Sequence, residues 1–295
     1  MSQWIVTLHE AKNIPFFKEV GAQEILLAVP FFSLRGAHLF MEEELGSLIK
    51  EIHACGLQAS VNCTRLFMED ELDRLRAFLK LLKQLDVDHI YFADEGVLYE
   101  GLQLGMEPCF IYQPDTLITN AKDVAFYLNN GCRAVSLSRE ITLQEIKHIA
   151  SQVSHCEMLV HGRFSIMHSR RPLLSSYFGF IGKEQAIKDR RDLTLQESTR
   201  SARMPIIEDE NGTHVFSEYT LQSIAQINEL RDAGIERFRI DSIFHDDAWA
   251  LAALRTYQSV LNGTLQAQEV ASSWSEQKDE SYSEGFYYTK TTLVK

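Results

Sequence analysis

Apolar residues along the chain follow two alternating patterns. Short, mostly apolar runs alternate with segments in which apolar residues recur every three or four positions. Runs of the first kind are typical of strands in a parallel sheet covered on both faces, and spacing of the second kind is typical of helices that bury one side. We predict eight strands, at residues 4–8, 24–29, 57–62, 89–93, 109–112, 134–138, 157–161 and 238–241.

The segments between these runs have helical spacing, as at residues 45–52, 72–82, 143–153 and 221–230. Thr142 and Glu145 form a capping-box pattern at the start of one of them. Alternating strands and helices predict an α/β fold, and eight repeats predict a closed (β/α)8 TIM-type barrel. An open doubly wound sheet is the alternative, but no glycine-rich phosphate loop follows the first strand to support it.

One interval breaks this rhythm. Residues 162–216 separate the seventh strand from the next predicted helix, far more than an ordinary strand-to-helix loop. Within it, MPII and THVFS flank an Asn211-Gly212 pair, which predicts a β-hairpin. We therefore predict a barrel at 1–263 with a rim insertion at 162–216, followed at 264–295 by a serine-rich linker and an aromatic tail. Barrel enzymes build their sites at the rim where this insertion emerges.

The composition is that of a soluble globular protein, with 45% hydrophobic and 24% charged residues. There is no secretion signal and no apolar run of the roughly 18 residues that a membrane span needs, so we expect a cytoplasmic protein without membrane association. The five cysteines are scattered and never form CxxC, which predicts neither a disulfide framework nor a zinc site.

Charge is distributed unevenly along the chain. The formal net charge is −12, yet residues 161–203 hold nine basic and four acidic side chains, a local charge of +5. A solvated helix face with alternating charges would explain this segment. An anion site or a partner-docking patch would explain it equally well, and both interpretations stay open at this point.

Polar side chains near the ends of predicted strands are the candidates for chemistry. The catalytic candidates are His161, suited to proton transfer, with Glu140 and Asp241 as acid or base. The candidates for binding a substrate or anion are Arg35, Asn62, Arg163, Arg170, Arg171 and Tyr177. Structural alternatives are a rim histidine bonded to a loop, a salt bridge at Arg35, and an ion pair between Arg139 and Glu140. No HExxH or GxSxG motif is present, and we predict no metal site.

Several segments resemble the collagenase-like peptidase U32 family. They are FFSLR, VHGRFSIMHSRRPLLSSYFG, SREITLQEI, IIEDENGTHVFS and ELRDAGIERFRID. The resemblance covers nearly the whole chain and is strongest to the smaller of two adjacent members in Gram-positive bacteria. It implies a barrel and one of two activities: the proteolysis for which the family is named, or oxygen-independent hydroxylation of tRNA wobble uridine, ribosomal RNA or ubiquinone precursors. In hydroxylating members four cysteines hold an iron–sulfur cluster, and prephenate is the apparent hydroxyl source for RNA.

This chain departs from the family pattern at all four cysteine positions, which hold Ser165, Pro172, Ser198 or Thr199, and Gln222. None of these side chains replaces a thiolate toward iron, so we expect no cluster and no other cofactor. The resemblance then implies a subunit that works with a larger, cluster-bearing paralogue in tRNA 5-hydroxyuridine formation. Its other expected partners are tRNA and a small anionic ligand such as prephenate. A peptidase and a non-catalytic scaffold remain the alternatives.

Overall fold

The computed structural model describes residues 2–183, 185–198, 201–277 and 280–293. Its strands are, in chain order, β1 Gln3–Thr7, β2 Glu24–Ala28, β3 Gln58–Cys63, β4 His89–Phe92, β5 Phe110–Tyr112, β6 Cys132–Ser136, β7 Cys156–Ser169, β8 Thr194–Gln196, β9 Arg203–Asp209, β10 Gly212–Gln222, β11 Arg237–Ile240 and β12 Tyr282–Ser283.

Eight of these strands close into a parallel barrel. β1 to β7 follow one another around the sheet, and β11 pairs in parallel with both β1 and β7. The (β/α)8 prediction is therefore confirmed, and the open-sheet alternative is wrong. Each predicted barrel strand overlaps an observed one, because short apolar runs between helices fit a wall that is buried on both faces.

Helices surround the barrel. They are α1 Ile14–Val20, α2 Glu42–Ala54, α3 Leu72–Gln84, α4 Glu95–Gln103, α5 Ala121–Asn129, α6 Leu143–Ala150, α7 Leu173–Phe180, α8 Ile227–Asp232, α9 Asp247–Leu261 and α10 Ala267–Ser275, with short 3-10 turns at Ala11–Asn13, Glu69–Glu71 and Thr291–Leu293. The predicted capping box starts α6, where the Thr142 amide donates to Glu145 at 2.8 Å. None of the helices in the described part of the chain combines the length and apolar character needed to cross a membrane.

The interior of the barrel is partly apolar and partly ionic. Ile5, Leu26, Tyr91, Ile111 and Ala134 form an apolar cluster. Around it, Arg237 donates to Glu24 at 2.6 Å, and the Tyr91 hydroxyl donates to Glu157 at 2.6 Å. Burial alone would raise the pKa of Glu24, but Arg237 and His89 outweigh it and lower that pKa to about 2. Glu24, Arg237, Tyr91 and Glu157 therefore form one hydrogen-bonded network in the interior.

The seventh strand does not end at His161, as the sequence predicts. β7 continues through Gly162 to Ser169, and this second half pairs antiparallel with β10. Gly162 has a φ of +139°, and a Cβ there would lie 2.6 Å from the carbonyl oxygen of Asp241. Glycine thus lets the strand pass close to β11 and keep going. The barrel wall and the insertion share one strand.

The helix predicted from the spacing at residues 221–230 is also wrong in its first part. Leu221 belongs to β10, and α8 begins only at Ile227. The apolar spacing is that of a helix at Leu221, Ile224, Ile227 and Leu230. However, Leu221 lies in β10, which hydrogen-bonds to β7, and spacing along the chain does not show such a pairing. Tertiary pairing overrides the local pattern here.

The predicted hairpin is present as β9 and β10, joined at Glu210-Asn211, with Gly212 at a φ of +118°. The C-terminal segment differs from a linker. The serine-rich stretch begins inside α10, where Trp274 is buried against the barrel, and β12 pairs with β10. In the aromatic tail, Tyr287 is buried and its hydroxyl lies 2.7 Å from that of Ser223.

Candidate functional site

A small polar cavity, which we call the mouth cavity, lies at the carboxyl ends of the barrel strands. Its volume is about 20 Å³. It is lined by Leu34, Arg35, Asn62, Gln113, Arg139, Arg163, Ser165, Phe216, Arg239, Asp241 and Ile243. Four of these residues are arginines and one is a carboxylate. The lining is therefore cationic at the end of the barrel where barrel enzymes place their sites.

The four arginines come from different parts of the barrel. Arg35 follows β2 and has a φ of +54°, Arg139 follows β6, Arg163 lies on β7 and Arg239 on β11. On β11, Arg237, Arg239 and the following Asp241 alternate at a spacing of two, which puts all three on the inner face. The barrel itself brings these side chains together.

Asp115 joins two of the arginines. Its carboxylate contacts the Arg35 guanidinium and lies 2.6 Å from that of Arg139. Burial alone would raise the pKa of Asp115, but Arg139, Arg35 and Arg239 outweigh it and hold that pKa below its ordinary value. Burial lowers the pKa of Arg139 to about 10, which Asp115 opposes, so Arg139 is cationic at neutral pH.

Arg239 has hydrogen-bond donors without partners. Its side chain is 3% exposed, and its Nε lies 3.3 Å from Glu157 without hydrogen-bond geometry. Asp241 is 3.6 Å from its Nη1. Neither Nε nor Nη2 donates a hydrogen bond. A buried guanidinium with unused donors is costly unless a ligand or water accepts from it.

Arg163 forms the wall between β7 and the C-terminal segment. Its guanidinium donates to the Ser217 carbonyl at 2.7 Å and to Glu280 at 2.7 Å. Glu280 also lies 2.7 Å from His245. Burial alone would raise the pKa of Glu280, but hydrogen bonds from His245 and Thr220 and the charge of Arg163 lower it to about 2. Arg163 is thereby held in place.

An apolar groove of about 290 Å³ lies beside the mouth cavity and shares Leu34, Arg35 and Ser165 with it. Its remaining lining residues are Thr64, Leu66, Ala93, Pro114, Asp115, Thr116, Leu117, Ile166, Met167 and His168. Most of these side chains are apolar. The mouth cavity has room for little more than one water-sized group, so it suits only the charged end of a ligand whose uncharged body lies in the groove.

His161 lies away from the mouth cavity. It is fully buried between the barrel and the outer helices, in contact with the rings of Trp249, Tyr257, Trp274 and Tyr282. Because the Tyr257 hydroxyl donates to the Val160 carbonyl, the Nδ1 of His161 donates to that hydroxyl at 3.1 Å. Burial lowers the pKa of His161 to about 3, so its ring is neutral.

The other predicted residues separate into two groups. Arg35, Asn62, Arg163 and Asp241 line the mouth cavity. Arg170, Arg171 and Tyr177 are exposed on the insertion, and Glu140 lies after β6 outside that lining. The amide of Asn62 also fixes the loops, since it donates to the Leu34 carbonyl and accepts from Thr64.

The predicted ion pair between Arg139 and Glu140 is wrong, because Arg139 turns inward to Asp115. Sequence reasoning assigned no site role to Arg139 and missed Arg239 and Gln113. A signal was available for Arg239. Charged residues spaced by two within a strand that is otherwise buried on both faces indicate a polar barrel interior.

The positions at which the family resemblance leads us to expect cysteine ligands of a cluster hold other residues here. Ser165 lines the mouth cavity, Pro172 precedes α7, and Ser198 is exposed. Gln222 is buried on β10 and donates to the Ala271 carbonyl at 3.5 Å. Thr199 lies outside the described residues. This donor set contains no thiol and does not fit an iron–sulfur cluster.

The five cysteines lie elsewhere and are free thiols. Burial raises the pKa of Cys109, Cys132 and Cys156 to about 12, and it raises that of Cys63 further. Such thiols stay protonated and are poor nucleophiles. Within the described ranges, no group of three or more histidine, cysteine, aspartate or glutamate side chains could hold a metal ion.

The sequence of the chain is similar to known proteins of one family. The family model described as "Peptidase family U32" matches residues 10–293. The "tRNA hydroxylation protein P2" of Bacillus subtilis is 27% identical, over 88% of this chain and 85% of the relative. The "tRNA hydroxylation protein P" of Escherichia coli is 23% identical, over 93% of this chain and 72% of the relative. The solved structure of the U32 peptidase Mk0906 has a TM-score of 0.52 at 14% identity, over 82% of this chain and 92% of that one.

Proposed function

Because the chain belongs to peptidase family U32, we propose that it acts in tRNA hydroxylation, as a subunit that binds a small carboxylate beside a larger, cluster-bearing paralogue. The reaction is 5-hydroxyuridine formation at the wobble position, and the carboxylate is prephenate or a close analogue. Relatives named for tRNA hydroxylation in two bacteria support the general role. The residues of this chain bind and orient, and the redox chemistry belongs to the paralogue.

The observation that carries this proposal is the set of arginines around the mouth cavity. Arg35, Arg139 and Arg239 meet there, and Arg239 keeps two donors without hydrogen-bond partners. Guanidinium groups bind carboxylates through paired hydrogen bonds, which are stronger than neutral ones. In a site this buried, an anion completes the hydrogen bonding of the arginines.

The apolar groove favours one class of anion over others. A carboxylate at Arg239 leaves the rest of the ligand facing Leu34 and Ser165, which also line the groove. Prephenate has two carboxylates and an uncharged ring, so one carboxylate would reach Arg239, the other would reach Arg35, which lines both spaces, and the ring would lie along the groove. Inorganic phosphate and citrate would leave the groove empty. We expect prephenate to bind more tightly than either.

We assign the redox step to a second protein because none of the four expected ligand positions of this chain holds a cysteine. Ser165 stands where the family pattern has its first cysteine, yet it remains in the lining of the mouth cavity. We propose that this chain kept the pocket and lost the redox centre, so that hydroxylation requires a second protein. That second protein is the larger paralogue, which retains the four cysteines.

The role in tRNA hydroxylation is tested by mass spectrometry of tRNA from a strain that lacks this gene and any redundant hydroxylation route. We expect 5-hydroxyuridine to be lost on deletion and restored by the wild-type gene. Arg139→Gln should not restore it, whereas Arg255→Gln, an exposed change on α9, should. An unchanged level of 5-hydroxyuridine in the deletion strain would contradict the role.

The family name also raises proteolysis, and the same preparations test it. Purified protein should leave gelatin intact with and without divalent metal ions. The buried, protonated thiols described above and the absence of a GxSxG motif give that expectation its basis. Cleavage that disappears in Arg139→Gln would instead assign the mouth cavity to a peptidase.

A further inference from the structure

Helix α7 presents an apolar face to solvent. Leu173, Tyr177, Phe180 and Ile181 are 38%, 57%, 90% and 39% exposed. Their spacing of four, three and one places them on one side of a helix and its last turn. Every other α-helix in the described ranges buries at least two residues, whereas α7 buries none. Apolar side chains gathered in this way mark an interaction surface.

The helix is fixed firmly to the insertion from its other side. The Leu173 amide donates to the Thr213 hydroxyl at 3.0 Å, and the Leu174 amide donates to Glu208 at 2.8 Å. Glu208 also accepts from the Ser175 amide at 3.1 Å, so a carboxylate caps the first turn. Leu174 packs against the apolar cluster of the hairpin. The exposed face therefore stands on a rigid base.

Cations surround this face. Arg170 and Arg171 precede the helix, and Lys183 follows it, all three exposed. The carboxylate nearest to Arg170 is Glu71, at 3.9 Å, a weak surface pair. The rest of the chain is strongly acidic by comparison. A matching surface would have an apolar groove with carboxylates at its edges.

We propose that the exposed face of α7 docks into an apolar groove, edged with carboxylates, on a second and different protein chain. Under the proposed function, on which this assignment rests, that chain is the larger cluster-bearing paralogue. A helix laid into a groove uses side chains spaced as Leu173, Tyr177 and Phe180 are. The cations on either side add electrostatic complementarity, which speeds association and fixes orientation.

The surface argues against two other occupants. In a two-fold symmetric self-association the same patch faces itself, which would bring the cations at the ends of α7 close to cations of the second copy. RNA would stack on Tyr177 and Phe180 and place its phosphates near the cations, but it would leave Leu173 and Ile181 exposed to water. A protein groove accommodates the aliphatic and aromatic side chains together.

The experiment measures association between this chain and the purified larger paralogue by isothermal titration calorimetry. Tyr177→Ser with Phe180→Ser should weaken binding by about 30-fold or more, as expected when interface anchors are removed. Tyr99→Ser, a change at a residue 63% exposed on α4, should leave it unchanged. Both variants should unfold at the wild-type temperature, because the altered side chains are exposed.

Charge reversal provides a second test. Arg171→Glu with Lys183→Glu should slow association at low salt and reduce its dependence on ionic strength. Wild-type affinity in the Tyr177 and Phe180 variant, or no binding by the wild-type chain, would overturn the assignment. The assignment would also be overturned if the Tyr177 and Phe180 variant lost tRNA binding but still bound the paralogue. If the docking experiment fails, the tRNA measurement in the deletion strain still tests the proposed function, so the two proposals can fail separately.

Discussion

The mouth of the barrel and the insertion above it both carry arginines, but in opposite settings. Arg139 and Arg239 are 8% and 3% exposed and are paired with Asp115 and Glu157. Arg170 and Arg171 stand in solvent beside an uncovered apolar helix. The same side chain can complete a buried ligand site or steer a partner, and its surroundings decide which.

The positively charged segment lies mostly outside the mouth cavity. The segment with a charge of +5 contributes one arginine, Arg163, to the mouth cavity. The other three come from barrel strands and the loops that follow them. A net positive charge along a stretch of sequence therefore indicates an exposed cationic surface. An arginine within or just after a barrel strand indicates a cavity-lining side chain.

Removal of Arg239 should have the largest effect. In Arg239→Met the buried carboxylate of Glu157 loses one of its two cationic neighbours, and we expect a loss of roughly 3 kcal/mol in the free energy of unfolding. Arg171→Met on the insertion should change it by less than about 0.5 kcal/mol. Urea unfolding of both variants measures the difference, and equal losses would break the distinction between the two regions.

The second-largest difference between the mouth and the insertion should be in the affinity for prephenate. Arg139→Gln should weaken prephenate binding about 10- to 100-fold, or roughly 1.4 to 2.8 kcal/mol, because a charged hydrogen-bond donor is lost in a buried site. Arg171→Gln should bind prephenate as the wild type does. Calorimetric titration of each purified variant tests this, and a matching loss in Arg171→Gln would move the anion site out to the insertion.

The smallest expected effect is the dependence of the free energy of unfolding on pH that His161 causes between the barrel and the outer helices. With a pKa near 3 in the folded chain and about 6.5 when unfolded, His161 takes up its proton on unfolding. The contribution of the neutral, buried His161 to the free energy of unfolding is therefore fully present above pH 6.5, and it is lost as the pH falls toward 3. Between pH 7.5 and 5.5 this amounts to about 1.4 kcal/mol.

His161→Phe keeps a ring in the aromatic surroundings and removes the titrating group. Its loss of stability over the same pH interval should be smaller than that of the wild type by this amount, as measured by urea unfolding. His148→Gln, an exposed change on α6, should behave as the wild type does. If His161→Phe retained the full pH dependence, the burial of a neutral imidazole would not be its source.

Much of the fold could be predicted because its signals are local. The eight strands, the capping box at Thr142 and the hairpin turn at Gly212 each follow from neighbouring residues. The continuation of β7 could not, because Gly162 resembles a break until its close approach to Asp241 is known. Leu221 has helical spacing but pairs with a residue far away in sequence.

The site was predictable only in part, for a similar reason. Arg35, Asn62, Arg163 and Asp241 were chosen as candidates because they sit at or near strand ends, and they line the mouth cavity. His161 was placed at the rim because its strand seemed to end there, yet it lies against the outer helices. Arg239 required knowledge of which face of β11 points inward.

The unbroken β7 has a mechanical consequence. A single strand leads from Glu157 in the barrel interior, past Arg163 at the mouth, to Ser169 just before α7. β10 pairs with this strand on both sides of an irregularity between Ser165 and Arg163, so the insertion is tied to the barrel by a paired strand and not by a single loop. Under the docking proposal, a partner bound to α7 would therefore be joined through one continuous strand to Arg163 at the cavity.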